Sequence, residues 1–421
     1  MWILLGVYVL NFLDRQVINI LVEPIKQELG LADWQLGMLT GFAFAVFYAV
    51  AGIPIARYAE RGNRPYIIGA AITCWSAFTM LCGIAGSFIQ LLLFRFGVGI
   101  GEAGGVPPAH SLISDYAPRA KRASALAFFH MGLPIGALMG LALGGLVADA
   151  YGWRTAFIVA GAPGIIVAIL LFAVLPEPRK QLRVGSTRVQ PAVDFVGTFK
   201  FLLGKRTFIY VLLGATVISF VTYAHQTFIA AFFFRVHGQE MAEVAAGFGL
   251  GPGGFLGISL GLITGIAGSL GIWLGGKLAD RGSHIDLGAY CTVPVFSLML
   301  FVPVQVLTFM SSDVTLALLG FIPSIFLASM WIGPVQASIQ SVAPPHMRAT
   351  ASAILLLAIN LIGLGLGPVT LGLLSDFNSS VLAMGPAEGI RWALVIFTLP
   401  SLLAAAFFWF ARNDVQRDFE G

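Results

Sequence analysis

Charge is scarce in this chain. Only 10% of its 421 residues are Asp, Glu, Lys or Arg, against about 25% in an ordinary soluble domain. Set beside 58% hydrophobic residues, that deficit excludes a water-soluble globular protein and implies a polytopic membrane protein. Cysteine is scarce too. Cys74, Cys82 and Cys291 lie in apolar stretches, with neither metal-ligand spacing nor a disulfide framework. No metal site and no cofactor is therefore expected. A nucleophile–base set for an enzyme is also lacking. Gly99-Ile-Gly101-Glu-Ala-Gly104 fits the dinucleotide pattern and Gly257-Ile-Ser259-Leu-Gly261 the nucleophile elbow, but both patterns need a strand-to-helix turn. Both lie inside apolar spans, so no catalytic residue is assigned. The net charge of +4 is no nucleic-acid signal, because the basic residues sit between spans. Residue 1 falls almost at the start of the first span without a basic n-region, so no cleavable signal peptide is read. Such a start leaves room for an N-terminal tail in the natural protein.

What is present is a series of apolar runs. A span needs about 20 mainly apolar residues, which predicts twelve helices over roughly 1–22, 36–58, 66–86, 88–114, 122–148, 153–175, 208–235, 252–278, 286–309, 314–342, 348–375 and 389–411. Eighteen Lys and Arg fall in one set of loops and only four in the other; Arg15 and Arg95 lie inside spans. The positive-inside rule then puts both termini in the cytoplasm, in a cytoplasmic (inner) membrane. One long polar connection, 176–207, divides an N-terminal six-helix bundle (1–175) from a C-terminal one (208–412), with a tail at 413–421. The fold class expected is an all-α membrane protein of two pseudo-symmetric bundles, and a monomer.

The two halves repeat each other. Ala117-Pro118-Arg119-Ala120-Lys121-Arg122-Ala123 after the fourth span matches Ala343-Pro344-Pro345-His346-Met347-Arg348-Ala349 after the tenth. Asp149 and Asp376 close the fifth and eleventh spans in similar contexts, and Tyr58-Ala59-Glu60-Arg61-Gly62 matches Leu278-Ala279-Asp280-Arg281-Gly282. Repeats of this kind imply a cavity between the bundles near the bilayer midplane and alternating access around it. That favours a transporter over a membrane enzyme or a channel.

Four charges interrupt the apolar runs. Asp14 and Arg15 sit in the middle of Leu4–Val22, and Arg95 and Glu102 inside the fourth span. Each costs at least about 2.5–3.5 kcal/mol at a bilayer centre. Arg95 and Glu102 share one helix face but lie roughly 10 Å apart along the axis, so each is expected to pair across helices, with Asp14 and Arg15 as partners. Asn11, one turn before Arg15, can add a hydrogen bond. A structural pair locking span one to span four would need one acid and one base. Two of each suggest a site. Arg15 and Arg95, which do not lose their protons, are candidates for binding a carboxylate or phosphate. Asp14 and Glu102 are candidates for proton coupling.

Gly276-Lys-Leu-Ala-Asp280-Arg281 resembles the signature loop of the major facilitator superfamily. The N-half copy is degraded, with Ala56, Glu60 and Asn63 at signature positions but Arg61 and Arg64 matching. The resemblance implies gating roles for Glu60, Arg61, Arg64, Asp280 and Arg281, and for Arg122 and Arg348 in the other repeated loop. Asn11-Phe-Leu-Asp14-Arg15, Arg95-Phe-Gly-Val-Gly-Ile-Gly-Glu102-Ala103 and Pro-Glu-Pro-Arg at 176–179 resemble the Spinster branch. That resemblance implies a proton-linked transporter of lysolipids or sphingoid phosphates. The anion:cation symporter branch shares Asp-Arg in span one and Gly-Glu-Ala in span four, and implies a sugar-acid type organic anion instead. A lipid scramblase or sensor is the alternative from another class. The partners expected are an amphiphilic or organic-anion substrate, protons and membrane lipids, with no nucleic acid.

Further candidates line the polar or apolar parts of the expected cavity: His110, Phe129, Tyr223, Trp331 and Asn360. The C-half spans carry no charge at mid-depth, which suits a head group held by the N half and an apolar tail by the C half. Glycines at 257, 261, 265, 268, 271 and 275 allow close helix contact or bending in the eighth span. Asn378-Ser-Ser is a glycosylation sequon on the expected outer side.

Overall fold

A computed structural model describes residues 1–118, 121–178, 195–344 and 347–418, without the side chains of residues 53, 56, 60, 61, 123, 195, 196 and 349. The long apolar runs form helices: α1 (Trp2–Leu29), α2 (Asp33–Ala59), α3 (Arg64–Cys82), α4 (Phe88–Tyr116), α5 (residues 124–151), α6 (residues 153–174), α7 (Arg206–Val236), α8 (Pro252–Ser283), α9 (Ala289–Met310), α10 (Val314–Val342), α11 (Thr350–Val381) and α12 (Gly385–Asp418). The Ser124–Val174 run has 51 residues. As one straight helix it would reach roughly 76 Å, more than twice the ~30 Å hydrocarbon core. Gly152, at φ 83° and ψ 161°, breaks it into two spans, in a backbone conformation open to glycine. The protein is thus a multi-pass integral membrane protein, with twelve spans among the described residues.

Local chemistry sets the ends. Asn63 caps α3 by accepting from the Tyr66 N–H, Ser87 caps α4 through Gln90, and Asp313 caps α10 through Leu316 at 2.7 Å. α1 runs on past residue 22 to a left-handed cap at Gly30, φ 63°. Several helices are not continuous. α4 is interrupted between Glu102 and Val106, and α10 between Ser329 and Ile332. Wide π-type turns interrupt α2 at Met38–Phe42 and α11 at Ile359–Leu364. Residues 413–418, expected as tail, continue α12. There Asp418 accepts the Thr207 N–H at 2.9 Å and closes the start of α7.

Contacts divide the chain into two units: Met1–Val189 with Gly238–Gly265, and Gln190–His237 with Ile266–Gly421. In the first, α1 packs along α5 through Gly132, Gly136, Gly140 and Gly144, one every turn. A Cβ at Gly140 would lie 2.6 Å from the Leu13 carbonyl. The start of α8 belongs to this unit. Gly257 and Gly261 press on Leu141 and Leu138 of α5, and Asp149 accepts the N–H groups of Gly253 and Gly254 at 3.0 and 2.6 Å. The rest of α8 belongs to the second unit, where Gly271 and Gly275 press on Phe326 and Met330 of α10. The α8 glycines therefore serve close packing on two different helices. The second unit's core gathers Phe208, Ile218, Leu298, Phe301, Ile339 and Phe408. Asn378 is buried there, its amide donating to the Gly389 carbonyl.

Candidate functional site

The four mid-span charges come together in the first unit. Arg15 reaches from α1 to Glu102 on α4, donating from Nη2 at 2.6 Å and Nε at 3.2 Å to the same carboxylate oxygen. Its guanidinium lies over the rings of Phe12, Phe44 and Tyr48, at 4.4 Å from the Phe44 centroid. Arg95 does not take an acid. Its Nε donates to the backbone carbonyl of Leu39 at 3.2 Å, within the wide turn of α2. The wide turn re-aims the local carbonyls, which is how a neutral backbone group meets a buried guanidinium. Glycines bring α4 close enough. A Cβ at Gly99 would sit 2.8 Å from the Phe44 carbonyl, and one at Gly101 would sit 2.6 Å from the Trp75 nitrogen. The glycine spacing that mimics a dinucleotide fingerprint thus serves helix contact with α2 and α3.

The site is under-satisfied. Among the described residues, none hydrogen-bonds to Arg95 Nη1 or Nη2, and Asp14 Oδ1 and Glu102 Oε1 lack a partner at full hydrogen-bond geometry, with Thr79 and Asn11 in range of the two carboxyls. Asp14, Arg95 and Glu102 are at most 1% exposed. Asn11 lies beside the Glu102 carboxylate, in range to add the hydrogen bond expected of it. Asp14 lies in electrostatic range of both Glu102 and Arg95, with Thr79 of α3 beside it. Buried polar groups are nearly always paired, so this cluster of exceptions is the candidate site.

The remaining candidates divide between the units. His110 and Phe129 join an aromatic group with Tyr8 and His130. Phe129 stacks on Tyr8 at 4.4 Å, and the His110 and His130 rings are 5.1 Å apart. Trp331 and Tyr223 pack on the apolar core of the second unit. Asn360 sits in the wide turn of α11 and donates to the Leu356 carbonyl at 2.8 Å. His225 is hydrogen-bonded packing: its Nε2 is 3.2 Å from the Leu394 carbonyl, with Phe301 and Phe309 around the ring. Phe44, Tyr48 and the Leu39 carbonyl were not singled out from sequence. The i, i+4 spacing of Phe44 and Tyr48, whose rings stack at 5.4 Å, is the signal that could have found them.

Of the gating candidates, the side chains of Glu60 and Arg61 lie outside the described residues, as do Arg119, Arg179, Pro345 and His346. Arg64 is fully buried. It pairs with Asp115 at the end of α4 (2.6 Å) and with Glu177, which also accepts the Arg64 backbone N–H at 2.8 Å. Asp280 and Arg281 are exposed, with Tyr290 Oη 3.5 Å from the Asp280 carboxylate. The repeated loops match down to a hydrogen bond. Arg122 Nε donates to the Ala117 carbonyl at 3.4 Å, and Arg348 Nε to the Ala343 carbonyl at 3.3 Å, each closing the helix end five residues before it. Between α8 and α9, the Gly288 backbone N–H, then Arg412 and Gln416, hold the Asp286 carboxyl below the usual carboxylate range.

Comparison with known proteins agrees with this architecture. Residues 4–368 match the Major Facilitator Superfamily family profile. An MFS-type efflux pump of Mycolicibacterium smegmatis is 34% identical over 99% of this chain and 94% of its own length. Protein spinster homolog 1 of Rattus norvegicus is 28% identical over 89% of this chain and 72% of its own. A crystal structure of a bacterial homolog to the human lysosomal transporter Spinster, inward-facing and unoccupied, matches with a TM-score of 0.87. It is 31% identical, covering 100% of this chain and 98% of that one.

Proposed function

This chain belongs to the Major Facilitator Superfamily, is related to Spinster, and is a transporter rather than an enzyme; on that premise we propose that it is a proton-coupled secondary transporter of an amphiphilic anion, a lysolipid or sphingoid phosphate, in the cytoplasmic membrane with both termini cytoplasmic. One observation carries the reading. Arg95 keeps two buried N–H-bearing atoms without partners among the described residues, beside an Arg15–Glu102 pair. A phosphate or carboxylate supplies the acceptors those atoms lack. As the anion draws Arg15, Glu102 loses its partner, and an unpaired buried carboxylate is costly. Proton uptake at Glu102, or at the neighbouring Asp14, removes that cost and ties the proton to the substrate. Alternating access then carries both across.

The amphiphile is favoured by the asymmetry of the candidate residues. Charge is held by α1 and α4, whereas Trp331, Tyr223 and His225 belong to an apolar or internally hydrogen-bonded setting. Glu60, Arg61, Arg64, Asp280, Arg281, Arg122 and Arg348 would set the balance between transport states.

Proteoliposome transport under an imposed pH gradient tests the reading. Gradient-driven movement of a lysophospholipid or sphingoid phosphate, abolished by Glu102→Gln, supports it. Competition by short hydrophilic sugar acids without amphiphile movement overturns the substrate assignment. Passive lipid movement indifferent to the gradient overturns the coupling and favours a scramblase.

A further inference from the structure

The second unit carries a groove of about 600 Å³ that none of the transport residues line. Its walls come from Leu278 of α8, Ala289, Val293, Phe296 and Leu300 of α9, and Phe326 of α10, and its mouth from Asp286 and Arg412. Leu278, Phe296 and Leu300 are exposed, so in a membrane-spanning chain they meet bilayer rather than water. From Ala289 to Leu300 the groove follows α9 for about 16 Å. That is close to half of the ~30 Å hydrocarbon core, the depth of one leaflet. Thr292 and Ser297 close their hydroxyls on the carbonyls of Gly288 and Pro294, so they add no polar demand to the walls.

The mouth is of a different character. Arg412 Nη2 and Asp286 Oδ2 are 3.5 Å apart, and the two side chains are 38% and 41% exposed. Close charge-assisted pairs lie at about 2.7–2.9 Å, so this pair is loose enough to admit other partners. Arg412 also lies over the Trp409 ring at 5.2 Å, and Trp409 is exposed. Tryptophan beside an arginine of this kind is the pattern of a membrane–water interface. The mouth therefore offers one cation and one anion at headgroup level, above an apolar channel one leaflet deep.

We propose that this groove is a site for a single phosphatidylethanolamine-type phospholipid, with one acyl chain along α9, its phosphate on Arg412 and its ammonium on Asp286. A choline headgroup has no N–H to donate to Asp286, and a glycerol headgroup has no cation for it. The occupant is thus set apart from the lipids that merely coat the protein. The site is independent of the transport site on α1 and α4.

Native mass spectrometry of the purified full-length protein, titrated with palmitoyl-oleoyl phosphatidylethanolamine, phosphatidylcholine or phosphatidylglycerol, tests it. The wild type retains one phosphatidylethanolamine in preference to the other two by roughly threefold to fivefold, the scale of exposed ion pairs. Arg412→Gln and Asp286→Asn remove the preference, and Val293→Trp, which fills the groove, lowers retention of all three. Should Val293→Trp fail to fold, the two headgroup variants decide alone. Equal retention of the three lipids by the wild type, or an undiminished preference in Arg412→Gln, overturns the proposal.

Discussion

Just beyond their matching loop segments, the two halves place a charge pair in opposite ways. In the N-terminal half the base comes first: Arg64 opens α3, is fully buried, and lies between Asp115 and Glu177. In the C-terminal half the acid comes first: Asp286 precedes α9, and Arg412 reaches it from α12 at 3.5 Å, both sides more than a third exposed. At mid-depth the halves differ in the same sense. The N half buries Asp14, Arg95 and Glu102 and half-buries Arg15, whereas the C half offers His225, hydrogen-bonded to Leu394. The repeat preserves where helices start and stop, down to the Arg122 and Arg348 hydrogen bonds, but not the dielectric in which charges sit. One half of a duplicated scaffold can therefore hold buried charge while the other remains apolar.

The largest expected effect breaks that comparison directly. Arg64→Ala strips a cation from two carboxylates, one of them almost fully buried, and should cost about 3–5 kcal/mol, whereas Arg412→Ala should stay within about 1 kcal/mol. Thermal unfolding in detergent reads both; equal losses would erase the distinction. Next is Arg95→Gln. It should weaken binding of an anionic substrate roughly tenfold to a hundredfold, the worth of about 1.5–3 kcal/mol in hydrogen bonds to charge. Asn360→Ala in the C half should leave affinity within about twofold, because its amide is already committed to the Leu356 carbonyl of its own helix. Competition binding with a labelled ligand separates the two.

A smaller effect belongs to the C half. Asp418→Ala removes the acceptor at the start of α7 and should cost about 1 kcal/mol, visible as a lowered unfolding temperature that Asp418→Asn partly restores. The smallest concerns Asp286. Its carboxyl titrates below the usual range in the folded protein, so it adds stability above its unfolded pKa near ~4. It loses that contribution as pH falls through the native value. The stability gap between wild type and Asp286→Asn should be open at pH 5 and shrink towards pH 3; a gap that widens on acidification would contradict the assignment.

The twelve spans, the repeat and the four charges were legible because each stands out against its background: apolar runs between basic loops, matched segments, ions inside hydrocarbon. The Arg15–Glu102 pair followed from counting partners. Arg95 did not, because its acceptor is a backbone carbonyl, and no side chain announces a wide turn at Met38–Phe42. Phe44 was hidden among 34 phenylalanines. The partners of Arg64 were hidden by distance along the chain, since Glu177 lies 113 residues away. The glycine periodicity was read on α8 and overlooked on α5, where Gly132, Gly136, Gly140 and Gly144 hold α1 close. It was the same signal, less noticeable beside additional neighbouring glycines.

The wide turn of α2 has a consequence for how such a site is made or lost. A π-type turn holds one more residue than the α-helix it interrupts. Deleting a single residue within 38–42 would turn the wide turn into a regular α-turn and leave the flanking helix largely in phase, because the extra residue is what the turn absorbs. The Leu39 carbonyl would then lose the wide turn that aims it at Arg95. The guanidinium cradle thus depends on chain length as much as on residue identity, and a scan of point substitutions along α2 would miss a determinant that one codon's deletion exposes.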